Sequence, residues 1–265
     1  MDDQPAAASR DLLRSDRKGV AWLTLNRPQA RNALTLSLMA ALDAELGAIA
    51  GDAAIRVVVI AGSGPAFCAG HDLREMRARP QREAYEETFG LCSRLMQHIV
   101  QLPKPVIARV HGIATAAGCQ LVATCDLAVA ADTARFATPG VDIGLFCSTP
   151  MVALTRAVGR KAAMEMLLSG EMIDATKAQA LGLVNRAVPE TELDATVTAL
   201  AELIAGKSPL TLAIGKEAFY RQTELPLADA YAYAAEVMTR NMLARDAEEG
   251  IDAFLQKRPP VWTAT

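Results

Sequence analysis

The first half of the chain changes between two periods of apolar spacing. Val20 to Asn26 predicts a strand that ends at the turn Arg27-Pro28, and Leu36 to Ile49 has apolar residues at helical spacing. Ile55 to Ala61 is an apolar run rich in β-branched residues, which is typical of a strand covered on both faces. The pattern therefore predicts strand, helix and strand in succession.

The same succession returns further along the chain. It predicts a helix, a strand, a short helix and a strand at Tyr85 to Gln101, Pro105 to Val110, Gly118 to Thr124 and Asp126 to Ala131. Repeated βα units with short connections indicate an α/β protein with a parallel sheet.

Beyond about residue 145 only Leu183 to Val188 predicts a strand. Glu190 to Lys207 has one apolar stripe at helical spacing, and such a stripe needs a surface to pack against. Proline divides this whole helical tail into about three helices, at Ser208-Pro209, Leu225-Pro226 and Pro259-Pro260. We therefore predict an α/β core over residues 1–190, followed by a helical region over residues 191–265.

Composition narrows the classes of partner. The 265 residues are 51% apolar with a formal net charge of -3 and scattered Lys and Arg, so no basic face for nucleic acid is expected. Met1 to Gly19 has no apolar core of a signal peptide, and no stretch approaches the roughly 20 apolar residues of a membrane span. The five cysteines form no CxxC or Cys/His pair, so we expect reduced thiols, no metal site and a cytoplasmic protein that contacts no membrane.

Two junctions between strand and helix contain small residues, Gly62 to Leu73 and His111 to Gln120. In the first, Asp72 is a plausible helix cap. Each junction leaves backbone N–H groups without partners, and two such groups that converge would stabilise an oxyanion. Tight packing of the turns is the alternative interpretation.

Several motifs then follow in a fixed order: LNRPQARNAL (25–34), GPAFCAGHDL (64–73), KPVIARVHG (104–112), AAGCQLVATCDLAVA (116–130), LGLVNRAVP (181–189) and FLQKRPPVW (254–262). With these motifs the chain resembles the enoyl-CoA hydratase/isomerase, or crotonase, superfamily. The strings AAGCQLVA, FATPGV and GLFCSTP are similar to the group typified by enoyl-CoA hydratase domain-containing protein 3. The resemblance implies a crotonase-like α/β spiral of ββα units with a C-terminal helical trimerisation region.

The resemblance also implies a site for an acyl-CoA thioester. Its two oxyanion amides would be the backbone N–H groups of His71 and Ala117. The CoA moiety is part of the substrate, so no separate cofactor is required, and the implied assembly is a homotrimer or a homohexamer made as a dimer of trimers. The implied CoA contacts are Arg31, Ala33, Ala69, Asp72, Leu73, Phe254 and Lys257.

The chain departs from the family pattern where the hydratases have two glutamates. Gln120 stands at one position, and Gly140, after Pro139, stands at the other. A further acidic position of some isomerases corresponds to Ser148. Neither an amide nor a glycine can transfer a proton near neutral pH, so ordinary 2-enoyl-CoA hydration is expected to be weak or absent.

Other residues near the implied site have two interpretations each. His71 can supply acid-base chemistry or only its amide, and Gln120 can orient a water or pack inside a helix. Asp142 is expected to point away from the pocket and to make a structural hydrogen bond, while Cys119 and Cys147 are expected to be inert buried thiols.

Three functions remain open at this point. The first is an enoyl-CoA hydratase/isomerase family enzyme, a lyase or isomerase, and the second is another acyl-CoA enzyme such as a decarboxylase that uses His71. The third is a non-catalytic acyl-CoA-binding protein. The acyl group depends on a pocket wall that we expect from loops around Tyr85 to Cys92 and Leu145 to Met151.

Overall fold

The computed structural model describes residues 11–265, which form ten strands and eleven α-helices. Residues 1–10, the first part of the segment in which no signal peptide is predicted, lie outside the described residues.

The larger sheet has six strands in the order β1-β2-β3-β5-β7-β10. Every neighbouring pair is parallel except β1 with β2. These strands are β1 (Leu12–Arg17), β2 (Val20–Leu25), β3 (Val57–Gly62), β5 (Val106–Val110), β7 (Leu127–Ala131) and β10 (Arg186–Val188).

The smaller sheet has four strands in the order β4-β6-β8-β9, with β4, β6 and β8 parallel and β9 antiparallel. Its strands are β4 (Ala66–Cys68), β6 (Ile113–Thr115), β8 (Arg135–Ala137) and β9 (Ile173–Asp174).

Helices connect and cover these sheets. They are α1 (Leu36–Ala50), α2 (Leu73–Ala78), α3 (Arg82–Gln101), α4 (Ala117–Thr124), α5 (Ser148–Ala157), α6 (Arg160–Ser169), α7 (Ala175–Leu181), α8 (Leu193–Ala205), α9 (Pro209–Gln222), α10 (Leu227–Met242) and α11 (Arg245–Leu255). The repeated βα units and the parallel sheet predicted from the sequence are confirmed.

Strand β3 explains why its sequence has no polar face. Val58 and Ile60 point into the main core, where α1, α3 and α4 pack, while Val57 and Val59 point to the other face of the sheet. Because α8 covers that second face, both sides of the strand are buried.

Two parallel strands bring the small-residue junctions together. β4 leads through residues 69–72 into α2, and its neighbour β6 leads directly into α4. The carboxyl ends of parallel strands lie at one edge of a sheet, so both junctions meet there. Asp72 caps α2 as predicted, since its carboxylate accepts from the amides of Arg74 and Glu75.

Three features differ from the prediction. The spacing of apolar residues did not predict strand β1 or the four short strands of the smaller sheet, and four helices rather than about three follow residue 192 in the described chain. The extra break comes at Leu243 and Ala244, before α11. Asp246 then binds Ser208 and Thr263 and so ties the C-terminal residues to the start of α9.

Within residues 11–265 no single helix has the length and apolar character of a membrane span, although residues 190–205 and 209–222, bent by 103° to each other, meet that test as a pair. In the same part of the chain no group of three or more His, Cys, Asp and Glu residues could hold a metal ion.

Candidate functional site

A cavity of about 450 Å³ opens where the two small-residue junctions meet. Its base contains His71, Ala116, Ala117 and Gly140. Across the part of the chain that the structure describes, no Asp, Glu, Lys or Arg lines it. The large apolar side chains of its wall are Leu73, Met76, Phe89, Ile143, Leu145 and Phe146.

A short parallel β-bridge to Leu34 fixes the orientation of the backbone of His71. The N–H of Leu34 donates to the carbonyl of Gly70 at 2.8 Å, and the N–H of Asp72 donates to the carbonyl of Leu34 at 2.9 Å. In this pattern the residue between the two bonded groups directs its own N–H to the opposite side. Among the described residues the N–H of His71 has no acceptor.

The N–H of Ala117 begins helix α4 and also has no acceptor within residues 11–265. The residue before it, Ala116, has φ 49° and ψ -118°, a conformation that costs an alanine about 1 to 3 kcal/mol. A methyl group added at Gly70 would lie 3.2 Å from the nitrogen of Ala117. The backbone that precedes His71 therefore lies directly against the start of α4.

Glycine at position 118 permits this close approach. A methyl group there would lie 2.0 Å from the carbonyl oxygen of Cys68, the last residue of β4. Only a hydrogen fits in that space, so Gly118 fixes how near α4 comes to β4.

The imidazole of His71 is a buried group without a polar partner. Neither ring nitrogen has a hydrogen bond among the described residues, and the ring packs edge-on against Phe89 with centroids 5.6 Å apart. Burial lowers the pKa of His71 to about 4, so the ring is neutral at pH 7. A neutral imidazole offers the cavity one donor and one acceptor.

Gln120 is packed inside helix α4 and does not line the cavity. Its side chain is 4% exposed, and its Oε1 lies 3.9 Å from Sγ of Cys92, which donates to it. The structure favours the interpretation of Gln120 as a packed helix residue.

Gly140 lines the cavity, and the following loop folds back on it. The N–H of Leu145 donates to the carbonyl of Gly140 at 2.9 Å. A methyl group at Gly140 would lie 2.7 Å from the carbonyl oxygen of Leu145 and 2.9 Å from Sγ of Cys147. A glutamate at this position therefore has no room unless the loop moves.

The remaining candidate residues near the cavity are one serine, two cysteines and one aspartate. Ser148 lines it, but the hydroxyl donates to the carbonyl of Phe146 at 3.3 Å. Both cysteines are buried, as predicted, and burial raises the pKa of Cys119 to about 12 and raises that of Cys147, so both thiols are protonated at neutral pH. Asp142 is exposed and outside the cavity, as predicted, but within residues 11–265 its carboxylate makes no hydrogen bond, so its predicted hydrogen-bonding role is wrong.

The predicted CoA contacts of the first two loops lie side by side. The carbonyl of Arg31 accepts from the N–H of Ala69 at 3.0 Å, and Ala33 precedes the bridge at Leu34. Ala69 and Leu73 line the cavity.

Asp72 uses its carboxylate within the fold. Burial opposes its ionisation, but hydrogen bonds from the amide of Glu75 and from the guanidinium of Arg27 hold the pKa of Asp72 below its ordinary value. Its backbone is also engaged, because its N–H donates to the carbonyl of Leu34 and its carbonyl accepts from the N–H of Met76.

Phe254 and Lys257 are not brought to the cavity of the same chain. Phe254 lies in α11, which packs on α9 and α10, and its side chain is 81% exposed. Lys257 follows that helix with a φ of 56°.

The apolar wall could not be placed from sequence spacing. Residues 85–92 and 145–151 do contribute to it, as expected, through Phe89 and through Leu145 to Pro150. The first of these segments is part of helix α3, and the second is a loop only over residues 145–147, because α5 begins at Ser148. Ile143 and Met76 were missed, because their directions depend on the fold-back at Gly140 and on the short helix α2.

Comparison with known proteins agrees with the geometry. The profile of the enoyl-CoA hydratase/isomerase family matches residues 15–265. Enoyl-CoA hydratase domain-containing protein 3 of Xenopus laevis is 49% identical, over 92% of this chain and 83% of its own length. The crystal structure of enoyl-CoA hydratase from Mycobacterium smegmatis is 56% identical, with a TM-score of 0.93, over 95% of this chain and 98% of that one. The crystal structure of human enoyl-CoA hydratase domain-containing protein 3 is 46% identical, with a TM-score of 0.93, over 96% of this chain and 100% of that one.

One prediction is corrected by these relatives. The Xenopus laevis protein is named mitochondrial, as are its forms from Rattus norvegicus, Homo sapiens, Mus musculus and Danio rerio. The predicted cytoplasmic location is therefore wrong. The predicted crotonase-like fold is confirmed by the two crystal structures. Together the profile, the relatives and the fold show that this chain belongs to the enoyl-CoA hydratase/isomerase family, in the group related to domain-containing protein 3.

Proposed function

We propose that this protein binds an acyl-CoA thioester in the 450 Å³ cavity and polarises its carbonyl with the N–H groups of His71 and Ala117. One observation supports this most directly: both groups belong to residues of the cavity base and neither has an acceptor in the described chain. Members of the family act on acyl-CoA thioesters, and such a thioester supplies the missing acceptor.

The two amides would act on charge that develops at the thioester oxygen. A single oxyanion donor typically contributes about 2.7 to 4 kcal/mol to a transition state. The N-terminal end of α4 adds a favourable dipole, because its first N–H groups point to the same place. This arrangement suits reactions that pass through a thioester enolate.

Hydration of a 2-enoyl-CoA needs more than this. It requires groups that deliver a water and a proton, and these typically contribute about 100- to 10,000-fold. Gln120 packs against Cys92, and Gly140 has no side chain. We therefore propose slow hydration, by an enzyme that retains charge stabilisation but lacks the pair of carboxylates.

CoA recognition is proposed to use Arg31 on the first loop and Lys257, with Phe254, from a neighbouring subunit. The C-terminal helices leave large apolar side chains exposed in the single chain, which supports a trimer or a hexamer; they include Phe219, Leu227, Tyr231, Leu243 and Phe254. Sedimentation at micromolar concentration should give a trimer or a hexamer, and a stable monomer would contradict this assembly.

Calorimetry tests the ligand. Butyryl-CoA should bind, butyrate should not bind comparably, and higher salt should weaken the binding because phosphates are recognised by cations. Equal binding of the free acid would count against the proposal. Turnover of enoyl-, malonyl- and methylmalonyl-type thioesters then separates a hydratase or isomerase from a decarboxylase and from a non-catalytic binding protein.

A further inference from the structure

The loop of residues 143–147 forms one wall of the cavity by folding back on Gly140. Gly144 turns the chain with a φ of 77°, and the N–H of Leu145 bonds to the carbonyl of Gly140. Ile143, Leu145 and Phe146 are left 58%, 53% and 42% exposed at the cavity. Large apolar side chains gathered around a cavity mark the place where an apolar part of a ligand is covered.

Gly140 makes this fold-back possible. Any side chain there would begin 2.7 Å from the carbonyl oxygen of Leu145, so the loop could not stay where it is. The residue that replaces a family glutamate therefore does more than remove a carboxylate. It lets an apolar wall close on the space that a glutamate would need.

Apart from the backbone amides of His71 and Ala117, which the thioester oxygen would occupy, the described residues that line the cavity offer no partner for a negative charge further along the acyl group. None of its lining residues is charged, and the one imidazole, that of His71, lies among apolar groups. Arg82 and Glu86, paired at 2.7 Å, line a separate open groove that shares Phe89 with the cavity, and the pair of Arg27 with Asp72 lies within the fold and outside the cavity lining. A short acyl group that ended in a carboxylate would place that charge inside the cavity without a cation.

We infer that Gly140 and the loop of residues 143–147 determine acyl selectivity: the site accepts an uncharged apolar acyl group and rejects a short acyl group that ends in a carboxylate. This inference rests on the acyl-CoA site proposed above.

Matched ligands test the inference on the unmodified protein. Affinity should rise about fourfold for each methylene from acetyl-CoA through butyryl-CoA to hexanoyl-CoA. Succinyl-CoA, which has the same chain length as butyryl-CoA, should bind at least about a hundredfold more weakly, because its carboxylate would lose water without gaining a partner.

Two variants link the selectivity to the loop. Leu145→Ala and Gly140→Ala should reduce the gain from butyryl-CoA to hexanoyl-CoA while leaving the affinity for CoA itself unchanged. Their controls are Leu13→Ala, an exposed leucine on β1, and Gly51→Ala, where an added methyl group meets nothing within 4 Å. Both controls should keep the full gain.

The outcomes separate the two claims. If acyl-CoAs bind but succinyl-CoA equals butyryl-CoA, or chain length has no effect, the selectivity inference is overturned and the proposed function stands. If no acyl-CoA binds, the proposed function itself fails. The ligand series on the unmodified protein decides the matter even if a variant does not fold.

Discussion

We expect the double substitution Gln120→Glu with Gly140→Glu to raise the rate of crotonyl-CoA hydration, and each single substitution to raise it little. A positioned acid or base contributes about 100- to 10,000-fold, and groups that act as a unit are strongly non-additive. The folded double variant should therefore exceed the unmodified protein by at least about 100-fold. The amides of His71 and Ala117 belong to the backbone, so the new side chains leave them in place. Gln120 lies outside the cavity lining and Gly140 is closed in by Leu145 and Cys147, so the gain also requires the loop of residues 143–147 to move and admit both carboxylates.

The structure also indicates how much stability the substitution at Gly140 should cost. Gly140 is not among the glycines with positive φ, so the backbone penalty expected from the sequence does not arise. The cost is steric, because the first carbon of the new side chain meets the carbonyl of Leu145 at 2.7 Å and Sγ of Cys147 at 2.9 Å. Overpacking of this kind costs about 1 to 3 kcal/mol, and about 2 to 4 °C of midpoint per kcal/mol gives a fall of about 2 to 12 °C.

The assay follows the loss of the enoyl thioester absorbance, with thermal denaturation measured on every variant. Gly51→Glu is the matched control, since it adds the same side chain in open space and should change neither the rate nor the midpoint. Adding Cys147→Ala removes one of the two close contacts and should recover part of the lost stability. The reasoning is refuted if the unmodified protein already hydrates crotonyl-CoA with a kcat of about 1 to 1,000 per second.

Three further predictions concern stability. Gly118→Ala should lower the free energy of unfolding by at least about 3 kcal/mol, because its methyl group would overlap the carbonyl of Cys68. In the same denaturant titrations Gly51→Ala should lower it by less than about 1 kcal/mol. Burial lowers the pKa of His71 from 6.5 to about 4, so the unfolded chain takes up a proton first, and the free energy of unfolding should fall by about 3 kcal/mol as pH drops from 6.5 to 4. The variant His71→Phe should lack this fall, and an equal fall in the variant would contradict the burial argument. Lys216→Met should cost about 3 kcal/mol in urea titrations, because it leaves the carboxylate of Asp126 without the ammonium that lies 2.7 Å away, and a neutral result would show that water replaces the pair.

Local patterns were enough to predict the elements that the main core specifies. The apolar run of β3 and the helical spacing of α1 reflect burial on both sides of a parallel sheet, and such burial leaves a clear mark in sequence. Strand β1 was missed because its sequence, LLRSDR, is mostly polar: it is an antiparallel edge strand with most of its residues exposed. The four strands of the smaller sheet, of two or three residues each, were missed as well, because they are held by pairing with one another, which no local pattern encodes.

The candidate site likewise has features that the sequence predicted and features that it did not. The resemblance implied the two amides at His71 and Ala117, and the structure brings these residues to one edge because β4 and β6 are parallel neighbours. The shape of the cavity does not follow from that order, since it depends on contacts between Gly140 and Leu145 and between α4 and β4. The unusual conformation of Ala116 was also invisible, because alanine rarely adopts a positive φ and nothing in its neighbours announces one.

The central claim is that a thioester carbonyl lies between two backbone amides, and a crystal structure with butyryl-CoA bound tests it most directly. The account predicts a thioester oxygen about 2.7 to 3.1 Å from the nitrogens of both His71 and Ala117, with the butyryl chain against Leu145 and Phe146. A ligand that binds elsewhere, or one that enters the cavity with its thioester oxygen directed away from both amides, would contradict it.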